Sequence, residues 1–192
     1  MKEYAMTKRI ILAVSGSISA YKSADLTSKL KKKGYDIHVI MTEAAQAFIT
    51  PLTLQVLSKN PVHTDVMEEK LAERINHIDL AKETDLFIVA PASANTIAKL
   101  AHGMADNMLT ATALALPSTT PKLIAPAMNT KMYENPLTKK NLETLQEVGY
   151  QKILPKSGLL ACGDTGRGAL ADIAVIIESI DSALTRKGVY DE

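Results

Sequence analysis

Short, uninterrupted apolar runs alternate along this chain with longer stretches of helical periodicity. Arg9-Ile-Ile-Leu-Ala-Val14 is apolar after its first residue and runs into Ser15-Gly16-Ser17. That pattern predicts a strand buried on both faces and closed by a tight turn. Asp36-Ile-His-Val-Ile-Met41, Asp85-Leu-Phe-Ile-Val-Ala90 and Lys122-Leu-Ile-Ala125 repeat it, and a weaker run, Lys152-Ile-Leu154, comes late. Between the first two runs, Lys29 and Lys31 to Lys33 precede Gly34. Cations in a last turn followed by glycine predict a helix C-terminus there. Thr50-Pro51 and Asn135-Pro136 each place a capping side chain before a proline at the first helical position. Leu137, Leu142, Leu145 and Val148 then recur at helical spacing before Gly149, and Asp172 precedes an apolar stripe of Ile173, Ile176, Ile177, Ile180 and Leu184. Strands alternating with helices predict an α/β fold, a three-layer doubly wound parallel sheet that is flavodoxin/Rossmann-like, with ligands at the carboxyl ends of its strands.

Length and composition narrow this picture. At ~150 residues per domain, 192 residues make one domain over 1–192, with a core from about 8 to 187. Pro155 to Gly168 is glycine-rich and lacks periodicity, which predicts a flexible loop. Hydrophobic residues at 46% and charged residues at 22% are those of an ordinary folded domain and exclude a disordered one. Twenty-two basic against 21 acidic residues leave a charge of +1, too little to attract nucleic acid or an anionic membrane. With no Trp and only two Phe, the chain also lacks stacking platforms for single-stranded nucleic acid. The one cysteine, Cys162, excludes an internal disulfide and a cysteine-based zinc site. The apolar run Ile10 to Val14 is too short for a secretory signal, and no window reaches the ~18 apolar residues of a membrane span, so a reducing cytoplasm is the expected setting.

Candidate chemistry gathers at the predicted strand ends. Ser15-Gly16-Ser17-Ile18-Ser19 combines a glycine with hydroxyls at a helix start, a phosphate-holding arrangement that also forms with no ligand. It matches neither the dinucleotide fingerprint nor the nucleoside-triphosphate loop, and a monophosphate fits it better. Met41-Thr42-Glu43 and Pro91-Ala-Ser-Ala-Asn-Thr96 end two further strands in small or hydroxylated residues. Each alone reads as helix capping. Together they describe a polar cradle suited to a flat ligand with a phosphate tail. Pro126-Ala-Met-Asn-Thr-Lys-Met-Tyr133 follows the fourth strand, and its Met pair reads as packing. In Leu160-Ala-Cys-Gly-Asp-Thr-Gly-Arg-Gly168 the cysteine is either a small buried hydrophobe or, given its glycine neighbours, an exposed thiol. His38, His63 and His102 have ordinary structural readings, whereas His77, at the start of a short helix Ile78 to Lys82, is either structural or an imidazole at a strand-helix junction. No G-x-S-x-G elbow and no His pair at i, i+4 occurs. Metal-free redox or electron-sink chemistry is what remains.

Four motifs taken together, Gly16-Ser-Ile-Ser-Ala-Tyr-Lys22, Pro91-Ala-Ser-Ala-Asn-Thr96, Pro126-Ala-Met-Asn-Thr-Lys-Met132 and Ala161-Cys-Gly-Asp-Thr-Gly-Arg-Gly168, resemble those of the homo-oligomeric flavin-containing cysteine decarboxylases. The resemblance spans residues from about 8 to 180 in order. It implies FMN as cofactor and conversion of 4′-phosphopantothenoylcysteine to 4′-phosphopantetheine in coenzyme A biosynthesis. The implied route is oxidation to a thioaldehyde, loss of CO2 and re-reduction of the enethiol. By the same resemblance His77 is the active-site base, Cys162 donates the final proton, and Asn129 bonds the substrate carboxylate with Met132 and Gly163 nearby. Gly16, Ser17, Thr42, Ser93, Ala94, Asn95, Thr96 and Ala127 surround FMN, and the segment 155–168 is a substrate clamp. The resemblance further implies a trimer or dodecamer with sites at subunit boundaries, no metal, and a separate phosphopantothenate-cysteine ligase. Tyr133 stands where the family commonly has Trp, which puts the packing at that position in question. The alternatives are the peptidyl-cysteine branch, a flavin prenyltransferase, which the Asn129 motif disfavours, and a non-catalytic regulatory subunit. Against the last stand His77, Asn129 and Cys162 and the lack of a long acidic tail.

Overall fold

Residues 7–68, 76–159 and 165–190 are described by the structure, a computed structural model. Strands β1 (Arg9–Val14), β2 (Asp36–Met41), β3 (Val62–His63), β4 (Leu86–Ala92), β5 (Lys122–Pro126) and β6 (Tyr150–Lys152) form a parallel sheet in the order β3-β2-β1-β4-β5-β6. This is the doubly wound order whose direction of winding reverses between β1 and β4. The helices are α1 (Lys22–Lys32), α2 (Glu43–Gln46), α3 (Pro51–Ser58), α4 (Asn76–Glu83), α5 (Ala94–Ala101), α6 (Met108–Leu114), α7 (Thr130–Glu134), α8 (Pro136–Glu147) and α9 (Ile173–Tyr190), with a 3-10 turn at Ile18–Tyr21.

The continuous apolar runs form central strands because both faces of the sheet are covered. Ile10, Leu12 and Val14 of β1 pack with Leu26 and Leu30 of α1, Leu54 of α3 and Ile176 and Ile180 of α9. Ile11 and Ala13 point the other way, toward Leu80 of α4, Ile97 of α5, Leu109 of α6 and Leu142 and Leu145 of α8. The period of two thus feeds two cores from one strand. Full burial of each such side chain contributes roughly 1.5–3 kcal/mol, which favours this pairing over any register that exposes one face.

Most predicted boundaries stand, and the departures have local causes. Thr50 and Asn135 cap α3 and α8 through their side-chain oxygens, with Pro51 and Pro136 in the first turn as read. β4 continues through Pro91 to Ala92, and its helix starts only after Ser93. The pair Val62–His63 adds an edge strand that the sequence reading lacked. The sixth strand lies at Tyr150–Lys152 rather than 152–154, because Gly149 in the left-handed region (φ 93°) ends α8 and the chain turns at once into the sheet. Leu137 and Val148, read as part of the α8 stripe, are exposed at 71% and 56%; only Leu142 and Leu145 of that set face the core. The segment read as a loop from 155 to 168 has strands at both described ends, β7 (Lys156–Leu159) and β8 (Thr165–Ala169), paired antiparallel. Its glycines hid the alternation by which strands are usually recognised.

Candidate functional site

The carboxyl ends of β1, β2, β4 and β5 meet around a cavity of about 830 Å³. Ser15, fully buried, joins β1 to β4: its Oγ donates to the Pro91 carbonyl (2.8 Å) and accepts from the Ser93 N–H (2.8 Å). The Thr42 N–H donates to the Val14 carbonyl (3.0 Å), and the Ala127 N–H to the Ala92 carbonyl (3.0 Å). Four strand ends are therefore held in one rim by backbone groups that would otherwise need solvent.

The hydroxyls on this rim do serve as helix caps. Ser17 accepts from Ser19 N–H (3.3 Å), Thr42 from Ala45 N–H (3.3 Å) and Ser93 from Thr96 N–H (3.3 Å). Capping uses acceptor lone pairs and leaves each hydroxyl its own proton, so a cap can also donate to a ligand. Ser93 directs its proton to Thr96 Oγ1 (3.2 Å), which passes the donor role to Thr96. Gly16 lets the first turn close against α2: a Cβ there would lie 2.6 Å from the Cβ of Ala44. A side chain at this position would force apart the first turn and α2, both of which line the cavity.

All eight residues expected around a flavin, Gly16, Ser17, Thr42, Ser93, Ala94, Asn95, Thr96 and Ala127, lie on the cavity wall, and so do Asn129 and Met132. Asn129 caps α7 with its side-chain oxygen accepting from Lys131 N–H (2.8 Å), which fixes the plane of its amide. Tyr133, one turn on, is buried in the second core, and burial raises its phenol pKa despite the opposing charge of Arg167. An aromatic ring thus still packs where the family commonly has Trp. Cys162 and Gly163 lie outside the described residues. His77, at the start of α4, is not on the wall that the described residues form, and its Nδ1 is buried with no hydrogen-bond partner among them.

The structure adds wall residues to which sequence reading gave no role, Tyr21, Lys22, Glu43, Lys99, Asp106 and Asn107, and places Gly168, read as the end of the clamp, on the same wall. One signal was available for Asn107, an N-cap reciprocated by Thr110 three residues on. Lys99 and Asp106 form an ion pair, and the Lys99 hydrogen bond holds the Asp106 carboxyl below its usual range. Lys22 and Lys99 balance Glu43 and Asp106 on the wall. A bound phosphate here would rest on hydroxyls and backbone N–H groups rather than on net positive charge. Small residues, oriented donors and a volume within the ~300–1,000 Å³ of small-ligand sites fit a flat ring system with a phosphate tail. Among the described residues no group of His, Cys, Asp and Glu could hold a metal ion, and no helix is long and apolar enough to cross a membrane.

Comparison with known proteins agrees with this geometry. Residues 2–185 match the family described as Flavoprotein. A probable phosphopantothenoylcysteine decarboxylase of Streptococcus mutans is 63% identical over 179 residues, covering 93% of this chain and all of that protein. The coenzyme A biosynthesis bifunctional protein CoaBC of Bacillus subtilis is 49% identical over 171 residues, 89% of this chain but only 42% of that protein, so the chain spans less than half of such bifunctional relatives. Among solved structures, a cysteine-to-serine mutant of a PPC decarboxylase complexed with pantothenoylaminoethenethiol superposes with a TM-score of 0.84 at 35% identity, covering 91% of this chain and 97% of that one. The FMN-dependent cysteine decarboxylase SpaF does so at 0.82 and 32%, covering 94% and 97%.

Proposed function

This chain belongs to the flavoprotein family, and from that premise we propose that it is an FMN-dependent carboxy-lyase converting 4′-phosphopantothenoylcysteine to 4′-phosphopantetheine in coenzyme A biosynthesis. It acts as a single domain in the cytoplasm. The observation that carries the reading is the cavity at the winding reversal, which brings the residues assigned to the flavin and those assigned to the substrate, Asn129 and Met132, onto one wall.

FMN, when bound, supplies reversible two-electron oxidation at the thiol-bearing carbon, so that the electrons left by CO2 have an acceptor. The chain's own residues do the rest. Ser17, Thr42 and Thr96 would hold the cofactor by hydrogen bonds from their hydroxyls, and Gly16 would admit it close to the backbone. Asn129 orients the substrate carboxylate through a side-chain amide whose oxygen accepts from the Lys131 N–H. A neutral amide orients a carboxylate while stabilising its negative charge less than a cation would, so less is lost as that charge moves into the rest of the substrate and neutral CO2 leaves. His77 accepts the thiol proton. Because it is absent from the wall that the described residues of its own chain form, it is assigned to the site of a neighbouring copy in a homo-oligomer, a trimer or a dodecamer built of trimers. Cys162 returns a proton to the product carbon; an ordinary thiol, with a pKa of ~8.5, carries that proton at neutral pH. Joining cysteine to phosphopantothenate is left to a separate ligase.

The test is product mass analysis after the FMN-loaded protein is incubated with 4′-phosphopantothenoylcysteine. Phosphopantetheine and CO2 are the expected products. Cys162→Ser should release CO2 and accumulate the oxidised enethiol, and an undiminished phosphopantetheine yield would remove Cys162 from the mechanism. His77→Asn should keep its flavin and lose turnover. Wild-type protein that binds no FMN, or that leaves the substrate intact, sinks the reading.

A further inference from the structure

The β8 strand lies directly against the turn that presents Asn129. Met128 N–H donates to the Gly168 carbonyl (2.9 Å), and a Cβ at Gly168 would stand 2.3 Å from the Met128 carbonyl oxygen and 3.4 Å from Asn129 C and Thr130 N. Two residues earlier, a Cβ at Gly166 would stand 2.7 Å from both Oγ1 and Cγ2 of Thr130. The Cβ positions of both glycines face the turn while Arg167 between them is exposed, although the pairing with β7 shifts register between Arg167 and Ala169. Thr130 Oγ1 is buried with no hydrogen-bond partner among the described residues, so this side chain meets β8 by contact rather than by bonding. The residues on either side of Asn129 are thus both fixed by β8, one by a backbone hydrogen bond and the other by side-chain packing.

We infer that Gly166 and Gly168 are positioning residues for Asn129: their missing side chains let β8 seat on residues 128–130 and set where the amide faces the cavity. The inference rests on the proposed role of Asn129. It also gives the glycines a purpose beyond loop flexibility.

The test uses the FMN-loaded homo-oligomer as Gly166→Ala, Thr130→Ala and the double variant. Gly166→Ala should lower kcat/KM for 4′-phosphopantothenoylcysteine by about tenfold or more, ~1.4 kcal/mol, mainly through KM, with FMN affinity unchanged. Thr130→Ala in the same chain removes both 2.7 Å contacts and should restore most of the loss relative to Thr130→Ala alone. A merely loosened hairpin would not be rescued in this way. Crystal structures should show residues 128–130 displaced in Gly166→Ala and returned in the double variant. Wild-type kinetics in Gly166→Ala, or a loss that Thr130→Ala leaves undiminished, overturns the inference. Should the wild-type protein not turn over this substrate, the crystal comparison alone decides: a turn that moves and returns upholds positioning, and an unmoved turn refutes it. If Gly166→Ala does not accumulate, Thr130→Ile crowds the same contact from the α7 side and is read by the same criteria.

Discussion

The two ends of the parallel sheet use polar residues in opposite ways. At the amino end Asp36 gathers Arg9 Nε (3.2 Å), His38 Nε2 (2.9 Å) and Asn60 Nδ2 (2.8 Å), while Asn60 also donates to the Ile37 carbonyl (2.8 Å). Arg9 reaches Glu83 as well, and its backbone N–H donates to Asp85 (2.9 Å), which Lys8 also approaches (3.1 Å). Burial alone would raise the Asp36 pKa; the hydrogen bonds from Asn60, His38 and Arg9 outweigh it and hold the carboxyl below its usual range. At the carboxyl end the polar groups are hydroxyls and amides arranged around open space, and the few charges on the wall cancel. Polar groups closed on one another contribute stability. The same kinds of group turned toward a cavity are placed for binding, because capping uses a hydroxyl's lone pairs rather than its proton.

That contrast can be broken by experiment. The largest effect belongs to the carboxyl end: Gly16→Val places side-chain atoms where Ala44 already stands 2.6 Å from a bare Cβ, and should cut FMN affinity at least about 100-fold, ~2.7 kcal/mol. Fluorescence titration of apoprotein with FMN checks this, and tight binding by the variant would show that the first turn is not part of the cradle. Next, Asp36→Asn should cost about 1.5–3 kcal/mol of folding stability at neutral pH, as for hydrogen bonds to a charged group, without changing FMN affinity. Because the native carboxyl titrates below its ordinary 3.8, its contribution is present above that pH and is lost as pH falls through the native value. Urea melts of the two proteins should therefore converge on acidification, and parallel curves down to pH ~2 would refute the linkage.

The smallest effect is at Tyr35, just before β2. Its hydroxyl donates to Asp181 of α9 (2.6 Å), and burial, then the Asp181 hydrogen bond and charge, push the phenol up to about 12. The native state holds this proton longer than the unfolded chain does. The contribution is complete below the ordinary pKa of 10.0 and disappears as pH rises toward 12. Tyr35→Phe should lose about 1 kcal/mol near neutrality and show a shallower alkaline decline than wild type between those limits. Equal slopes in that window would mean that Tyr35 does not couple to folding.

Much of the framework was legible residue by residue. The bounds of β1 and β2 are those read from their apolar runs, and the caps at Thr50 and Asn135 are where a hydroxyl or amide precedes proline. Such signals act over a few residues and survive in any context. Reading weakened where burial is decided from outside the element. Leu137 and Val148 share the α8 periodicity with Leu142 and Leu145, yet only the latter pair meets the sheet. In β7 and β8 glycine supplies no side chain from which a face could be inferred.

The order of residues by itself determined that β1, β2, β4 and β5 are strands, where α3 and α8 start, and that small hydroxylated side chains stand at strand ends, since each depends on neighbours within one or two turns. Only the tertiary structure decided that those ends converge between β1 and β4, that Gly16 abuts Ala44, that Gly166 and Gly168 seat on residues 128–130, and that His77 stays off the cavity wall formed by the described residues. These are contacts between segments remote in sequence. They are selected by how two buried faces of one sheet can be covered at once, and no local pattern carries that information.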